Sequence, residues 1–267
     1  MHPRLSVNAL SSFNWSFAQD LALWRALDVR VAGLLISKID ADVDGCLAQL
    51  RAADIALSTI VCGAFNLADP QSWPAHRQAV NKLLDAVAAM GSGMVYFPTG
   101  RTDGSRWGEV LERLAEAVAP CVEYAAKIGV RLAFEPSLRT DASFVNTLRD
   151  AVDVAERTGL GLVVDFGNCW MERDLQQVLQ RAAPHIALVQ ICDVVIGGNG
   201  KPSPGGRVHL GDGELPLPRL MQDVLATGYR GPFDLEVLGP CVEAEGYEAA
   251  LRRGVPQAAA LLQQLGV

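Results

Sequence analysis

The sequence has little positive charge and no long apolar run. It contains 23 lysines and arginines against 30 aspartates and glutamates, for a net charge of −7 and an isoelectric point of about 5.1. Such a chain has no broad electropositive face for phosphates, so we expect no nucleic-acid partner. No stretch approaches the roughly 18 apolar residues that span a bilayer, and the N-terminal MHPRLSVNALSSFNW lacks the apolar core of an export signal. We therefore expect a cytoplasmic protein without a membrane partner.

Cysteine motifs for zinc or redox chemistry are also absent. The six cysteines are never closer than 16 residues apart, so no CxxC spacing occurs. They are Cys46, Cys62, Cys121, Cys169, Cys192 and Cys241. We expect reduced, mostly buried thiols, as is typical of a cytosolic chain of this length.

Short β-rich apolar runs alternate with longer segments whose apolar residues recur every three or four positions. The eight candidate strands are 5–9, 31–36, 57–61, 94–97, 130–134, 161–165, 186–191 and 233–237. Glycines such as Gly129 and Gly159 predict helix ends before strands, and Asp141 predicts a helix start. Eight units in 267 residues predict one (β/α)8 TIM-barrel domain over 1–267, since such barrels need roughly 250 residues. A doubly wound sheet is the alternative, but no GxGxxG or P-loop motif supports it.

One connection is unusually long. The glycine- and proline-rich segment 192–215 separates the seventh strand from the next helix. Long loops in compact domains often cover active sites, so we predict a lid here, with a tolerated surface insertion as the alternative.

Polar side chains end four consecutive predicted strands, at Glu135, Asp165, Gln190 and Glu236. The carboxyl ends of barrel strands meet at one mouth, where barrel enzymes have their active sites. Three carboxylates there repel one another unless a cation compensates them. Carboxylate and amide oxygens suit one divalent ion, Mn²⁺ or Mg²⁺ before Co²⁺ or Zn²⁺. The alternative is that each group serves in an unrelated salt bridge or helix cap.

At these residues the sequence resembles the xylose isomerase-like TIM barrels, the superfamily that includes ketose 3-epimerases and inosose dehydratases. Its pattern has a Glu on strand five, an Asp on strand six followed three residues later by His, a His on strand seven and a Glu on strand eight. Glu135, Asp165 and Glu236 match, whereas Asn168 and Gln190 replace the two histidines. The segments 207–216, RVHLGDGELP, and 228–236, GYRGPFDLE, carry the most specific match. The resemblance is clear over roughly 130–240.

The resemblance implies that Glu135 and Glu236 are metal ligands and also the acid and base of the reaction. Proton removal beside a carbonyl gives a cis-enediolate, whose fate sets epimerisation, isomerisation or dehydration. Asn168 and Arg207 are expected to contact substrate oxygens. His209 is the one histidine placed to protonate a leaving hydroxyl. We interpret Lys38 as an ordinary solvated lysine.

We therefore predict a metal-dependent isomerase or epimerase of a sugar or cyclitol, with ligands Glu135, Asp165, Gln190 and Glu236. One alternative is a metal-dependent dehydratase or lyase on a keto-sugar or inosose-like substrate. Another is a non-catalytic barrel that binds a small polyol, since two histidines of the pattern are replaced. A DNA-repair endonuclease on the same barrel is disfavoured, because four histidines and an acidic surface fit neither its zinc cluster nor DNA. Homo-oligomerisation is left open.

Overall fold

The computed structural model describes residues 1–196 and 206–267, and eight of its strands close into a parallel barrel. These strands are β1 (Leu5–Asn8), β2 (Val31–Leu35), β3 (Ala56–Val61), β4 (Met94–Pro98), β5 (Arg131–Glu135), β6 (Gly161–Asp165), β7 (Ile186–Ile191) and β10 (Phe233–Leu235). Around the barrel they follow the order β1, β10, β7, β6, β5, β4, β3, β2. The prediction of a (β/α)8 barrel is confirmed.

The barrel strands are separated along the chain by helices. The helices are α1 (Phe17–Ala26), α2 (Val43–Ala52), α3 (Trp73–Met90), α4 (Trp107–Ile128), α5 (Leu148–Thr158), α6 (Phe166–Cys169), α7 (Leu175–Ala182), α8 (Leu217–Leu225), α9 (Pro240–Glu245) and α10 (Tyr247–Gln264). Short 3-10 helices occupy Ala9–Ser12, Ile36–Lys38 and Pro70–Ser72. No helix within 1–196 or 206–267 is both long and apolar enough to cross a bilayer.

Helix α5 shows how local sequence sets these boundaries. Thr147 caps its start by accepting a hydrogen bond from the Asp150 amide, and Gly159 ends it in the left-handed conformation at φ 76°. The prediction that a helix starts at Asp141 is wrong. Asp141 precedes the helix in a loop, where Arg139 binds its carboxylate at 2.6 Å.

Strand β1 alternates between an apolar outer face and a polar face toward the barrel interior. On β1, Leu5 and Val7 are fully buried apolar residues, while the Ser6 hydroxyl meets the Ser58 hydroxyl at 2.7 Å. Two residues farther along β1, Asn8 donates to Asp234 on β10 at 2.6 Å. Because the side-chain period of a strand is two, Glu236 points to the same interior side as Asp234.

The predicted lid segment contains a small two-stranded sheet. Strand β8 (Asp193–Val194) pairs antiparallel with β9 (Arg207–Val208), so that Val194 lies opposite Arg207. Positions 197–205 of the predicted lid lie outside the described residues. All six cysteines are free thiols and five of them are buried, as predicted.

Candidate active site

The structure brings the four predicted strand-end groups together at the carboxyl end of the barrel. Glu135 and Asp165 end β5 and β6, and Gln190 lies opposite Asp165 on β7. Glu236 directly follows β10. Glu135 and Glu236 line a cavity of about 420 Å³, together with Asn168 and Arg207. The predicted convergence at one mouth is therefore observed.

A buried arginine lies among these carboxylates. The side chain of Arg207 is 4% exposed, its Nη2 donates to Asp165 Oδ2, and its Nη1 donates to Glu236 Oε1 at 3.3 Å. The sequence places Arg207 on the lid and predicts only a substrate contact for it. That contact stays a prediction, but Arg207 is a fixed part of the cavity wall.

Asp193 anchors the chain segment that carries Arg207. Its carboxylate accepts hydrogen bonds from the backbone amides of Gly211 at 2.9 Å, Gly213 at 3.2 Å and Leu215 at 3.1 Å. A β-carbon on Gly213 would lie 2.1 Å from Asp193 Oδ1, so a side chain at this position would collide with the carboxylate. The Gly-Asp-Gly turn therefore wraps around Asp193 and fixes the ribbon of β8 and β9.

Asn168 connects two of the carboxylates. It lies in α6, the short helix that Asp165 caps by accepting from the Gly167 amide at 2.8 Å. The Asn168 amide nitrogen donates to Asp165 at 2.7 Å and to Glu135 at 3.2 Å. Its amide oxygen accepts from the Leu138 backbone at 3.3 Å. The orientation of the amide is thus fixed, with its N–H groups toward the carboxylates.

Gln190 also presents N–H groups to its neighbours. Its Nε2 donates to Glu236 and to the Tyr96 hydroxyl, the latter at 3.0 Å. Tyr96 is fully buried on β4, two residues before the strand ends at Pro98. Tyr96 is a site residue that was not predicted from the sequence. It lies two residues before Pro98, which pairs with Glu135, so the two-residue period of the strand places Tyr96 on the same side as Pro98.

Burial and mutual repulsion favour protonated glutamates in this cavity. Burial, the charge of Glu236 and the charge of Asp165 raise the pKa of Glu135 well above its usual value. Burial raises the pKa of Glu236 to about 8, although Arg207 opposes this rise. Burial disfavours the charge on Arg207, but the facing carboxylates outweigh this and raise its pKa. A carboxyl group whose pKa lies near neutral pH, as that of Glu236 does, is suited to acid and base chemistry.

His209 and Lys38 differ from their expected settings. His209 Nε2 lies 2.7 Å from Glu245 Oε2 on α9, and His209 does not line the cavity. Its catalytic role stays a prediction that this geometry does not support. Lys38 is not a solvated lysine: its side chain is 4% exposed and pairs with Asp20 at 2.7 Å. Contacts from α1 and the segment after β1, distant in sequence, enclose it.

Comparison with protein-family models gives a match over residues 24–263 to the model described as xylose isomerase-like TIM barrel. The chain belongs to this family. The family membership agrees with the closed barrel.

The individual proteins that this chain is similar to are distant in sequence. The L-ribulose-5-phosphate 3-epimerase UlaE of Escherichia coli O1:K1 / APEC is 27% identical over 150 residues, which cover 54% of this chain and 49% of UlaE. The chain thus spans about half the length of the curated relatives it matches. The structure of the IOLI protein with a bound zinc atom is 17% identical, with a TM-score of 0.85 over 98% of this chain and 99% of that chain. The D-psicose 3-epimerase of Clostridium cellulolyticum H10 is 14% identical, with a TM-score of 0.71 over 98% of both chains. These structural likenesses establish the fold.

Proposed function

We propose that this protein is an isomerase or epimerase of a small sugar or cyclitol and moves a proton on a carbon next to a carbonyl group. The observation that carries the proposal is that Glu135 and Glu236 line one cavity of about 420 Å³, a size that suits a small ligand. Their strands lie three positions apart in the ring of eight. The two carboxyl groups therefore approach a bound ligand from different sides.

In the proposed reaction one glutamate is the base and the other is the acid. The base takes the proton from the carbon, the C–H electron pair forms a C=C bond, and the carbonyl oxygen gains negative charge. The acid then returns a proton. Return to the same carbon from the other face gives the epimer. Return to the former carbonyl carbon gives the isomer, provided that the hydroxyl proton of the first carbon moves to the former carbonyl oxygen, so that the first carbon becomes the new carbonyl. Arg207 and Asn168, whose side chains also line the cavity, are proposed to hold substrate oxygens.

The predicted divalent metal ion is considered separately, because the guanidinium of Arg207 already binds two of its four predicted ligands. Arg207 bridges Asp165 and Glu236, and Gln190 turns its N–H group toward Glu236. Within 1–196 and 206–267, no three His, Cys, Asp or Glu side chains are grouped so that they could hold a metal ion. As arranged, the residues do not fit a resident Mn²⁺ or Mg²⁺ ion, and no step proposed here uses one. Metal dependence stays a prediction.

Conversion of candidate substrates tests the proposal. The purified protein is incubated with ketoses, their 5-phosphates and inososes, and products are separated by chromatography. We expect conversion of at least one substrate without a new absorbance. Glu135→Gln and Glu236→Gln should each lose about 10²–10⁴-fold in rate. Glu112→Gln, an exposed glutamate that pairs with Arg157 on the surface, is the matched control.

Two outcomes contradict the proposal. Enone absorbance that grows with substrate loss would indicate a dehydratase in its place. Conversion that survives in both glutamate variants would remove the proposed acid and base.

A further inference from the structure

We propose that the guanidinium of Arg207 is the permanent cation of this site and takes the place of the divalent metal ion that the family resemblance implies. The inference deepens the proposed function and rests on it for its catalytic consequence. Three features of the site carry it: the position of the guanidinium, the space made for it, and the donors that occupy the carboxylates.

The position of the guanidinium excludes a metal ion between the same carboxylates. Arg207 contacts Asp165 through Nη2 and Glu236 through Nη1, so its planar group lies between the ends of β6 and β10. An ion such as Mg²⁺ binds carboxylate oxygens at about 2.1 Å. An ion that bridged these two carboxylates would overlap the guanidinium. The metal ion was predicted because the clustered carboxylates need a positive charge beside them, and Arg207 already supplies that charge.

The backbone of α6 leaves room for this group. A β-carbon added to Gly167 would lie 3.1 Å from Arg207 Nη2 and 2.7 Å from Cys192 Sγ. Gly167 does not have a positive φ, so no backbone strain requires glycine there. Because Gly167 has no side chain, Arg207 and Cys192 can approach its backbone closely.

The donors around Asp165 leave it no free lone pair for a metal ion. Its Oδ1 accepts from the Gly167 amide at 2.8 Å and from Cys192 Sγ at 3.5 Å. Its Oδ2 accepts from Asn168 at 2.7 Å and from Arg207. A carboxylate has about four acceptor sites, and four donors fill them here. At the two positions where the sequence departs from the family's histidines, Asn168 and Gln190 supply N–H donors to carboxylates.

This arrangement gives Arg207 a defined task. Its charge stands at the cavity wall, where the carbonyl oxygen of a substrate becomes negative as the enediolate forms. Preorganised donors of this kind contribute about 10²–10³-fold in kcat. We therefore expect a loss of this size in Arg207→Ala, with a smaller loss in Arg207→Lys, which keeps the charge but loses the bridging fork.

Metal content and metal-dependent melting test the inference. The wild type should contain no stoichiometric metal, keep its activity in chelator, and shift its melting temperature by less than about 1 °C in excess Mn²⁺. Arg207→Ala leaves Glu135, Asp165 and Glu236 without a cation beside them. Its melting temperature should therefore rise with Mn²⁺, and the bound ion should change the Mn²⁺ electron paramagnetic resonance spectrum.

A second variant covers the case in which Arg207→Ala does not fold. Gly167→Ala keeps every charge but displaces the guanidinium, so we expect a lower kcat. Added metal ions should not restore the full activity of this variant. Arg157→Ala, which removes a surface arginine paired with Glu112, is the control for losing one positive charge.

Near-stoichiometric metal in the wild type, with activity lost on chelation, would overturn the inference and leave the proposed isomerase standing. A metal-free wild type that converts no hydroxy-carbonyl compound would overturn the proposed function instead. The two failures are thus distinguishable in the same preparation.

Discussion

Asp193→Ala is expected to destabilise the protein and to disturb the site at the same time. The carboxylate of Asp193 accepts from three amides of the turn and from the Val194 amide at 2.9 Å. An amide left without its acceptor costs about 1–3 kcal/mol when it stays buried. Leu215 is buried whereas Gly211 is exposed and can bind water, so we expect a total loss of about 3–5 kcal/mol.

Thermal melting followed by circular dichroism measures this effect. For a chain of this size about 1 kcal/mol corresponds to about 2–4 °C, so Asp193→Ala should melt at least about 6 °C below the wild type. Asp212→Ala is the matched control from the same turn. Its carboxylate is half exposed and pairs with Arg253 on the surface, and such pairs contribute up to about 1 kcal/mol. If the two variants melt alike, the proposed anchoring by Asp193 is wrong.

Three further predictions concern buried groups elsewhere. Lys38→Met leaves Asp20 buried without its cationic partner, so it should lower the free energy of unfolding, measured in urea, by about 3–5 kcal/mol. The double variant with Lys38→Met and Asp20→Leu should lose less, and equal losses would contradict this. Burial raises the pKa of Asp20 to about 6 from an ordinary 3.8. The folded protein thus binds this proton more tightly, and its contribution to stability falls as pH rises from about 4 to 6. Asp20→Asn should remove that fall from the pH dependence of unfolding, and an unchanged dependence would refute it. Gly213→Ala should destabilise the protein by about 2 kcal/mol or more, because the new side chain clashes with Asp193. Gly108→Ala, in open space on α4, is the control and should be neutral or stabilising by about 0.5–1 kcal/mol. Similar melting temperatures of the two variants would argue against the clash.

Much of the fold could be predicted because its signals are local. Strand β6 was predicted at the residues where it occurs, since a short apolar run precedes Asp165 and Gly159 marks the preceding helix end. Asp141 is a false indication of a helix start, because residue types that cap helices also occur in loops. Only the backbone course shows that Thr147 caps the helix.

In the site, too, the features that depend on local sequence could be predicted and those that depend on long-range contacts could not. Glu135, Asp165 and Glu236 could be predicted, because carboxyl ends of successive strands meet in a barrel whatever the details of packing. The burial of Arg207 among these carboxylates could not be predicted, since it depends on the ribbon of β8 and β9 and on the turn around Asp193. Contacts between residues distant in sequence decide whether such a charge is solvated or buried.

Deuterium exchange tests whether Glu135 and Glu236 are the two proton-transfer groups. Each of two epimeric substrates is incubated separately in D₂O with the wild type, Glu135→Gln or Glu236→Gln, and exchange of the C–H hydrogen is followed by nuclear magnetic resonance. We expect exchange of both epimers in the wild type and the selective loss of exchange of one epimer in each variant. Exchange of both epimers at wild-type rates in either variant would contradict it.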